Sequence, residues 1–309
     1  AYVGGPDFMF FQYDMASRGK RQVGSTAKPF LYALAFEQEF DPCSTFSNTQ
    51  PNFGGWMPRN TGKSRIGENV DLRWALTTSN NWISARLIHE LRVPTFVGKL
   101  RMYGISGFLT PNYTLSLGSF DASVAEMVSG YSTFANKGVR VDPVYVTRIE
   151  DNQGNVIYSP VAHRTEALNE KASYKISSVL FDVVDKGTGR GLRSNYGISA
   201  QMGGKSGTTN FNSDAWFMGF TPDLVTGIWV GGEERYIHFN SMAYGQGAKA
   251  ALPIYGMYMK KVYADKKLPY SQDSRFTFPA DFNPCDGVRW HDAPEQSEAT
   301  TEVVEGVFD

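Results

Sequence analysis

A serine and a lysine three positions apart, Ser25 and Lys28, are the residues of this chain best suited to chemistry. Positions three apart lie on one face of a helix, so the hydroxyl and the amine can meet. Pro29 follows directly, and a proline is tolerated only in the first turn of a helix, which places Ser25 at the helix N-terminus. There the helix dipole favours negative charge on the serine oxygen and disfavours a proton on Lys28. The pattern indicates an activated nucleophile.

Two further short patterns present polar side chains. Ser79 and Asn81 stand in a polar loop between two predicted helices, and such a loop exposes its side chains. The stretch 204–209, Gly-Lys-Ser-Gly-Thr-Thr, ends a predicted strand whose small residues let a substrate backbone approach, and Lys205 can meet a carboxylate there. Taken singly, each pattern also has a structural interpretation: Ser79 and Asn81 fit capping and turn residues, and the stretch 204–209 fits an ordinary sheet edge. Ser25 and Lys28 alone equally fit a capping serine and a surface lysine.

The Ser-x-x-Lys spacing occurs twice. Ser17 and Lys20 match it as well as Ser25 and Lys28 do, but Gly19 weakens any helix there and no apolar run follows. This first copy is therefore predicted to be a solvated loop.

Composition indicates a folded globular protein. Of the 309 residues, 41% are hydrophobic and 14% aromatic, which is enough for a substantial core. The formal net charge of −1 gives no basic field, so no nucleic-acid partner is expected. No apolar run approaches the roughly 18 to 20 residues of a membrane span. Because the chain starts without Met in a predicted strand, a longer protein with residues upstream is expected.

Neither metal nor cofactor is expected. The four histidines are scattered without zinc-like spacing. Cys43 and Cys285 cannot form a disulfide framework for so long a chain, and whether they pair depends on the redox compartment. Two unrelated structural cysteines are the favoured interpretation.

Turn and periodicity signals divide the chain into alternating elements. Strands are predicted within 1–11 around a turn at 4–7, followed by a long surface excursion over 41–65. Helices are predicted at 72–77 with Asp71 as N-cap, and at 82–91, 94–104, 121–136, 170–185 and 248–263. A hairpin is predicted within 139–158, and antiparallel strands at 200–208, 215–220 and 225–230. Beyond residue 265 the chain becomes polar and finally acidic, with Glu295, Glu298, Glu302, Glu305 and Asp309.

The three motifs occur in the order Ser-x-x-Lys, Ser-x-Asn, Lys-Ser-Gly, and this set resembles the serine penicillin-recognising enzymes. The surrounding segments 21–25, 203–209 and 214–222 are similar to the transpeptidase domain of class A, bifunctional penicillin-binding proteins, as are 117–119, 134–138 and 187–189. The resemblance covers about residues 1–265. It departs at Ser206, where threonine is commoner, and the glycosyltransferase half of such proteins is absent.

The resemblance implies an α/β (α+β) fold, with an antiparallel sheet of the five-stranded type flanked by helices. A mostly helical subdomain would occupy about 41–138, the transpeptidase domain 1–265, and a polar acidic tail or linker 266–309. The family also implies a place at the extracytoplasmic (periplasmic) face of the bacterial inner membrane. There the chain would be anchored by a segment it does not contain, beside an upstream glycosyltransferase domain.

The family further implies a role for each motif. Ser25 would attack a D-alanyl-D-alanine stem peptide, Lys28 would take its proton, and Ser79 would pass that proton to the leaving amine. Asn81 would hold Lys28 and the substrate amide. The strand motif would bind the terminal carboxylate and complete the oxyanion hole, through Lys205, Ser206, Gly207, Thr208 and Thr209. The implied partners are peptidoglycan stem peptides, as donor and as amine acceptor, and β-lactam antibiotics.

Several alternatives share these motifs. A β-lactamase or a D,D-carboxypeptidase would use water as acceptor, and a β-lactam sensor would be acylated without turnover. Glu166 superficially matches the glutamate-bearing loop of class A β-lactamases, but its spacing differs, and it is interpreted as a helix-entry residue. A nucleotide-binding loop is excluded, because Ser199 and Met57 stand where glycine is required before Gly204-Lys205-Ser206 and Gly62-Lys63-Ser64.

Overall fold

The computed structural model describes residues 1–5, 7–38 and 40–286. Its strands are β1 (Arg21–Gln22), β2 (Thr45–Ser47), β3 (Asn69–Asp71), β4 (Asp121–Ala122), β5 (Val139–Val141), β6 (Ile149–Glu150), β7 (Val156–Tyr158), β8 (Arg164–Glu166), β9 (Gly203–Thr208), β10 (Asp214–Phe220) and β11 (Val225–Gly231). Its α-helices are α1 (Lys28–Glu37), α2 (Leu72–Thr77), α3 (Asn81–Leu91), α4 (Val93–Met102), α5 (Val124–Ala135), α6 (Glu170–Asp185), α7 (Gly191–Ser194), α8 (Met242–Gly245) and α9 (Gly247–Ala264). The mixed α/β class with antiparallel sheets is as expected.

The central sheet lies between two layers of helices. Its strands follow the order β11-β10-β9, and both pairs are antiparallel, as their short connections require. Side chains of β10 alternate between the layers: Phe217 packs towards α9 with Tyr255, whereas Trp216 and Met218 join the core formed around α1, α5 and α6. Each of the three predicted strands is confirmed. In the described part of the chain the sheet has three strands, not the five expected.

The strands predicted within 1–11 are wrong. No strand is formed in that segment, at least among its described residues, and Val3, Met9 and Phe10 are more than four-fifths exposed. A high β-propensity is realised only where side chains have a neighbouring strand or core to pack against, and here they have neither.

The predicted helices are all present. Helix α1 is hydrophobic all round and buried on every side, which is the pattern of a helix in the interior of a domain. Asp71 caps α2 as expected, since its Oδ1 accepts a hydrogen bond from the Trp74 N–H at 2.6 Å. Helix α5 begins later than predicted, because Ser123 forms a capping box with Glu126, and residues 121–122 pair with β1 instead.

The hairpin and the excursion are also present. Strands β6 and β7 pair across the turn at 151–155, while β5 pairs with β8. Glu166 lies exposed in β8, not at the entry of α6 as interpreted, and Asn169 supplies the N-cap there. The excursion over 41–65 is closed by the β2–β3 pair, and Asn48 Nδ2 donates to the Ser64 and Arg65 carbonyls.

Cys43 and Cys285 form a disulfide with a Cα–Cα distance of 5.4 Å, so the interpretation as unrelated cysteines is wrong. Only the fold brings them together, since 242 positions separate them. The carboxylate of Asp41 is close to both sulfurs, but sulfurs bonded to each other are not thiolate ligands for a metal ion.

The segment 266–286 packs back onto the domain. Phe276 and Phe278 contact the ring of Phe181 on α6, and Phe282 contacts Tyr174. This part of the predicted tail therefore contributes to the core, while the acidic residues from Glu295 to Asp309 lie outside the described residues. A domain boundary near residue 265 stays a prediction. No described helix combines the length and apolarity needed to cross a membrane.

Candidate active site

Ser25 stands in a short 3-10 helix, Gly24–Ala27, that leads directly into α1. Pro29 occupies the first turn of α1, as the sequence predicts, and Ser25 is half-buried. The turn is fixed by the Gly24 N–H, which donates to the Gly118 carbonyl at 3.2 Å, and by the Tyr131 hydroxyl, which donates to the Thr26 carbonyl at 2.8 Å. The structure thus places the serine at a rigid helix start.

This turn lies directly against β9. Gly24 has a φ of +54°, and a Cβ there would come within 2.8 Å of the Thr208 carbonyl oxygen. A Cβ on Gly207 would come within 2.7 Å of the Val23 carbonyl oxygen. Both positions therefore need glycine, and the two glycines let the turn that carries Ser25 and the strand motif touch through their backbones.

A buried ion pair also joins the segment before this turn to the central sheet. Arg21 Nε donates to Asp214 Oδ1 at 2.8 Å, with both side chains at most 5% exposed. Trp229 Nε1 donates to the same carboxylate oxygen at 3.0 Å, and Trp216 Nε1 donates to the Gln22 carbonyl at 2.8 Å. Sequence reasoning assigned Arg21 and Asp214 no role. The available signal was an acidic residue at the start of an otherwise apolar strand.

Lys28 lies fully buried at the start of α1. Its Nζ donates to Asn81 Oδ1 and to the Ser79 carbonyl, both at 2.6 Å, and to Ser79 Oγ at 3.2 Å. Burial, and after it the positive charge of Lys205, hold the pKa of Lys28 well below its usual range. The structure therefore brings the first two motifs together.

The Ser79 loop has a backbone that needs support. Ser79 has a φ of +60°, an uncommon value for a residue with a side chain. The Asn80 side chain caps α3 by accepting from the Ile83 N–H, and Asn81 Nδ2 donates to the Arg59 carbonyl at 2.6 Å. The Asn81 N–H donates to Asn60 Oδ1 at 2.6 Å. The excursion over 41–65 thus holds the second motif in place.

Lys205 on β9 reaches the same serine. Its Nζ donates to Ser79 Oγ at 2.9 Å and to the Ser206 carbonyl at 3.1 Å, and its side chain is fully buried. Burial lowers the pKa of Lys205 to about 7. The Ser79 hydroxyl therefore lies between two buried amines, one from each of the other motifs.

The remaining residues of the strand motif have different surroundings. Ser206 Oγ donates to Thr188 Oγ1 at 3.3 Å, and Thr208 Oγ1 accepts from the Gly247 N–H at 3.0 Å. Thr209 Oγ1 is turned instead to Ser213 and Asp214, at 3.0 and 3.2 Å, and so belongs to the ion-pair network. Within the described residues, no hydrogen bond joins the Ser25 hydroxyl to Lys28 or to another group.

The fold and the three-motif site define a penicillin-recognising acyl-transfer domain. A family model described as the penicillin binding protein transpeptidase domain matches residues 1–230, so the chain belongs to this family. Among curated proteins, it is 32% identical over 274 residues to penicillin-binding protein 1A of Neisseria lactamica, covering 84% of this chain and 34% of that protein. Penicillin-binding protein 1A of Aquifex aeolicus is 32% identical over 268 residues, covering 85% of this chain and 36% of that protein. The predicted family is confirmed.

Solved structures show the same fold. Penicillin-binding protein 1A from Haemophilus influenzae has a TM-score of 0.78 at 23% identity, covering 90% of this chain and 47% of that one. PonA1 from Mycobacterium tuberculosis has a TM-score of 0.75 at 21% identity, covering 90% of this chain and 76% of that one. A further structure is of PonA1 in complex with penicillin V, with a TM-score of 0.73 at 22% identity, covering 90% of this chain and 76% of that one. The chain spans about a third of the length of its curated relatives.

Proposed function

We propose that this chain is a serine D,D-transpeptidase that cross-links peptidoglycan stem peptides, and that β-lactams acylate the same serine. The observation that carries the proposal is the meeting of two buried lysine amines on one serine hydroxyl, Ser79, beside a serine at a helix start. Buried amines with lowered pKa values are suited to accept and return protons near neutral pH.

In the first half-reaction, Ser25 Oγ forms a bond to the carbonyl carbon of the penultimate D-alanine. Lys28 takes the hydroxyl proton, because a neutral amine has a lone pair to accept it. The peptide C–N bond breaks, and Ser79 passes a proton to the departing D-alanine amine, drawing on the Lys28 amine with which it is hydrogen-bonded. An ester on Ser25 and free D-alanine result.

In the second half-reaction, the amine of another stem peptide attacks that ester. A new peptide bond forms, the ester C–O bond breaks, and the amine proton returns through Ser79 and Lys28 to Ser25. The N–H groups of Ser25 and Thr208 would stabilise the oxyanion in both steps, where one donor is typically worth about 10²–10³ in rate. Asn81 would hold the Lys28 amine and the substrate amide.

Incubation with two synthetic peptides tests the proposal. A donor ending in D-alanyl-D-alanine and an amine-bearing acceptor are mixed with the protein, and the products are identified by mass spectrometry. We expect a cross-linked product with one D-alanine released per bond. Release of D-alanine without cross-links would identify a carboxypeptidase. Rapid hydrolysis of the β-lactam ring of penicillin would identify a β-lactamase. Stable acylation with no peptide turnover would identify a sensor, and each of these three results would overturn the proposal.

Lys205 is proposed to bind the carboxylate that both stem peptides and penicillins carry, together with Ser206 and Thr208. We expect Lys205→Ala to slow acylation by a carboxylate-bearing β-lactam about 10- to 100-fold, the value of a hydrogen bond to a charged group. Acylation by the methyl ester of the same compound should slow much less. Since Lys205 also contacts Ser79, the ratio of the two losses is the quantity to measure, and equal losses would contradict the carboxylate role.

The cellular setting is also proposed. A disulfide is typical of proteins in oxidising compartments, so the Cys43–Cys285 bond supports a place at the extracytoplasmic face of the membrane. The upstream glycosyltransferase domain and the membrane anchor stay predictions from the family resemblance.

A further inference from the structure

We propose that Thr188 is a positioning residue that acts through the Ser206 hydroxyl to bind the carboxylate end of the substrate. The inference rests on the proposed function, because it concerns how the same site recognises its ligand. Thr188 follows the end of α6 and is half-buried, and it is the acceptor for the hydroxyl of Ser206 on β9.

The turn that carries Thr188 has little freedom. The Gly187 N–H donates to the Asp182 carbonyl at 3.0 Å, and the Gly189 N–H donates to the Val183 carbonyl at 2.9 Å. A Cβ on Gly187 would come within 2.5 Å of the Thr77 carbonyl oxygen. The turn is thus pressed against the last residue of α2, two positions before Ser79. Thr188 is therefore fixed between the Ser79 loop and the strand motif.

The two hydroxyls on one face of β9 are not equivalent. Ser206 and Thr208 are two positions apart and so share a face. The Thr208 oxygen accepts from the Gly247 N–H, which leaves its proton available for a ligand. The Ser206 proton is instead donated to Thr188. In this structure only one of the two hydroxyls is ready to donate to a carboxylate.

The Ser206 proton can become available to a carboxylate without loss of the hydrogen bond between Ser206 and Thr188. A hydroxyl both donates and accepts, so the Ser206 hydroxyl can rotate towards the carboxylate while Thr188 donates to the Ser206 oxygen. The resulting chain runs from Thr188 through Ser206 to the carboxylate, and each bond polarises the next. Ser206 lacks the γ-methyl that restricts the χ1 rotamers of threonine. The hydrogen bond to Thr188 therefore supplies a constraint that the serine does not have by itself.

The test compares acylation rates of Thr188→Val with those of the unaltered protein. Valine keeps the branched shape and removes the hydroxyl. We expect about a 3- to 10-fold loss in the second-order rate constant with a carboxylate-bearing β-lactam, the value of one hydrogen bond. The methyl ester should react at nearly the same rate with both proteins. Thr188→Ser, which keeps the hydroxyl, should restore most of the rate.

A second measurement distinguishes a positioning role of Thr188 from a purely structural one. In a Ser206→Ala background, Thr188→Val should cause no further loss, because the group through which Thr188 acts is gone. Equal losses with the carboxylate and the ester, or additive losses in the double variant, would overturn the inference. If the unaltered protein is not acylated at all, the proposed function fails and the inference fails with it. If that protein is acylated and Thr188→Val reacts equally fast, only the role of Thr188 is overturned.

Discussion

Replacing Ser25 by alanine is expected to abolish covalent labelling by a fluorescent penicillin. On the proposed mechanism the β-lactam carbonyl is retained as an ester on this oxygen, since Ser25 is the hydroxyl at the helix start beside both lysine motifs. Alanine removes the proposed nucleophile and keeps the backbone N–H that is proposed for the oxyanion hole. The measurement is in-gel fluorescence after denaturation, supported by the mass of the intact protein. Stable labelling of Ser25→Ala would falsify the assignment of the nucleophile.

The chain contains a matched control for this variant. Ser17 and Lys20 have the same spacing, but Ser17 Oγ donates to Asp14, and Lys20 Nζ forms an ion pair with Glu126 at 3.0 Å. These side chains are engaged away from the Ser79 hydroxyl. Ser17→Ala should therefore be labelled as fully as the unaltered protein. Loss of labelling in Ser17→Ala together with retained labelling in Ser25→Ala would mean that the first copy, not the second, carries the chemistry.

Replacing Lys28 by methionine is expected to slow acylation by about 10²–10⁴, the usual contribution of a general base. Methionine is chosen because it fills a buried site of similar length and adapts to its surroundings. Its thioether leaves the Asn81 Oδ1 and the Ser79 carbonyl without the Lys28 donor, so the thermal unfolding midpoint must be measured alongside the rate. Acylation of folded Lys28→Met at an undiminished rate would exclude Lys28 as the base.

The pH dependence distinguishes loss of the base from general damage. As the proposed base, Lys28 acts when neutral, and its pKa is lowered, so the rate of the unaltered protein should rise with pH well below the ordinary lysine range. In its proposed role Lys205 binds a carboxylate when protonated, and its pKa is lowered to about 7, so the same rate should fall as pH rises above that value. A bell-shaped profile is expected. Lys28→Met should lack the rising limb, whereas Lys20→Met should keep both, and retention of the rising limb in Lys28→Met would contradict the assignment.

The longer helices, and the limits of α2 and α6, could be predicted because they depend on near neighbours. The bounds of α6 agree with the prediction, and the cap of α2 is the predicted Asp71, because a capping side chain bonds to a backbone group only three positions away. Pro29 likewise determined where α1 could begin. The three strands of the central sheet followed from apolar runs separated by short polar turns.

Predictions failed where they depended on distant partners. The aromatic N-terminal segment has strand propensity but no neighbour, and Cys43 meets Cys285 only because the segment after α9 packs back against α6. No pattern among neighbouring residues predicted the Arg21–Asp214 ion pair or the Thr188–Ser206 hydrogen bond. Such contacts depend on which surfaces of the folded chain face each other.

The candidate site shows the same division. The sequence by itself determined the residue types, their order and the local context of each motif, which was enough to distinguish Ser25 from the copy at Ser17. The tertiary structure alone decided that Lys28 and Lys205 meet on the Ser79 hydroxyl, across 51 and 126 positions of the chain. It also decided that burial lowers the pKa values of both amines, because desolvation exists only once the core has formed around them.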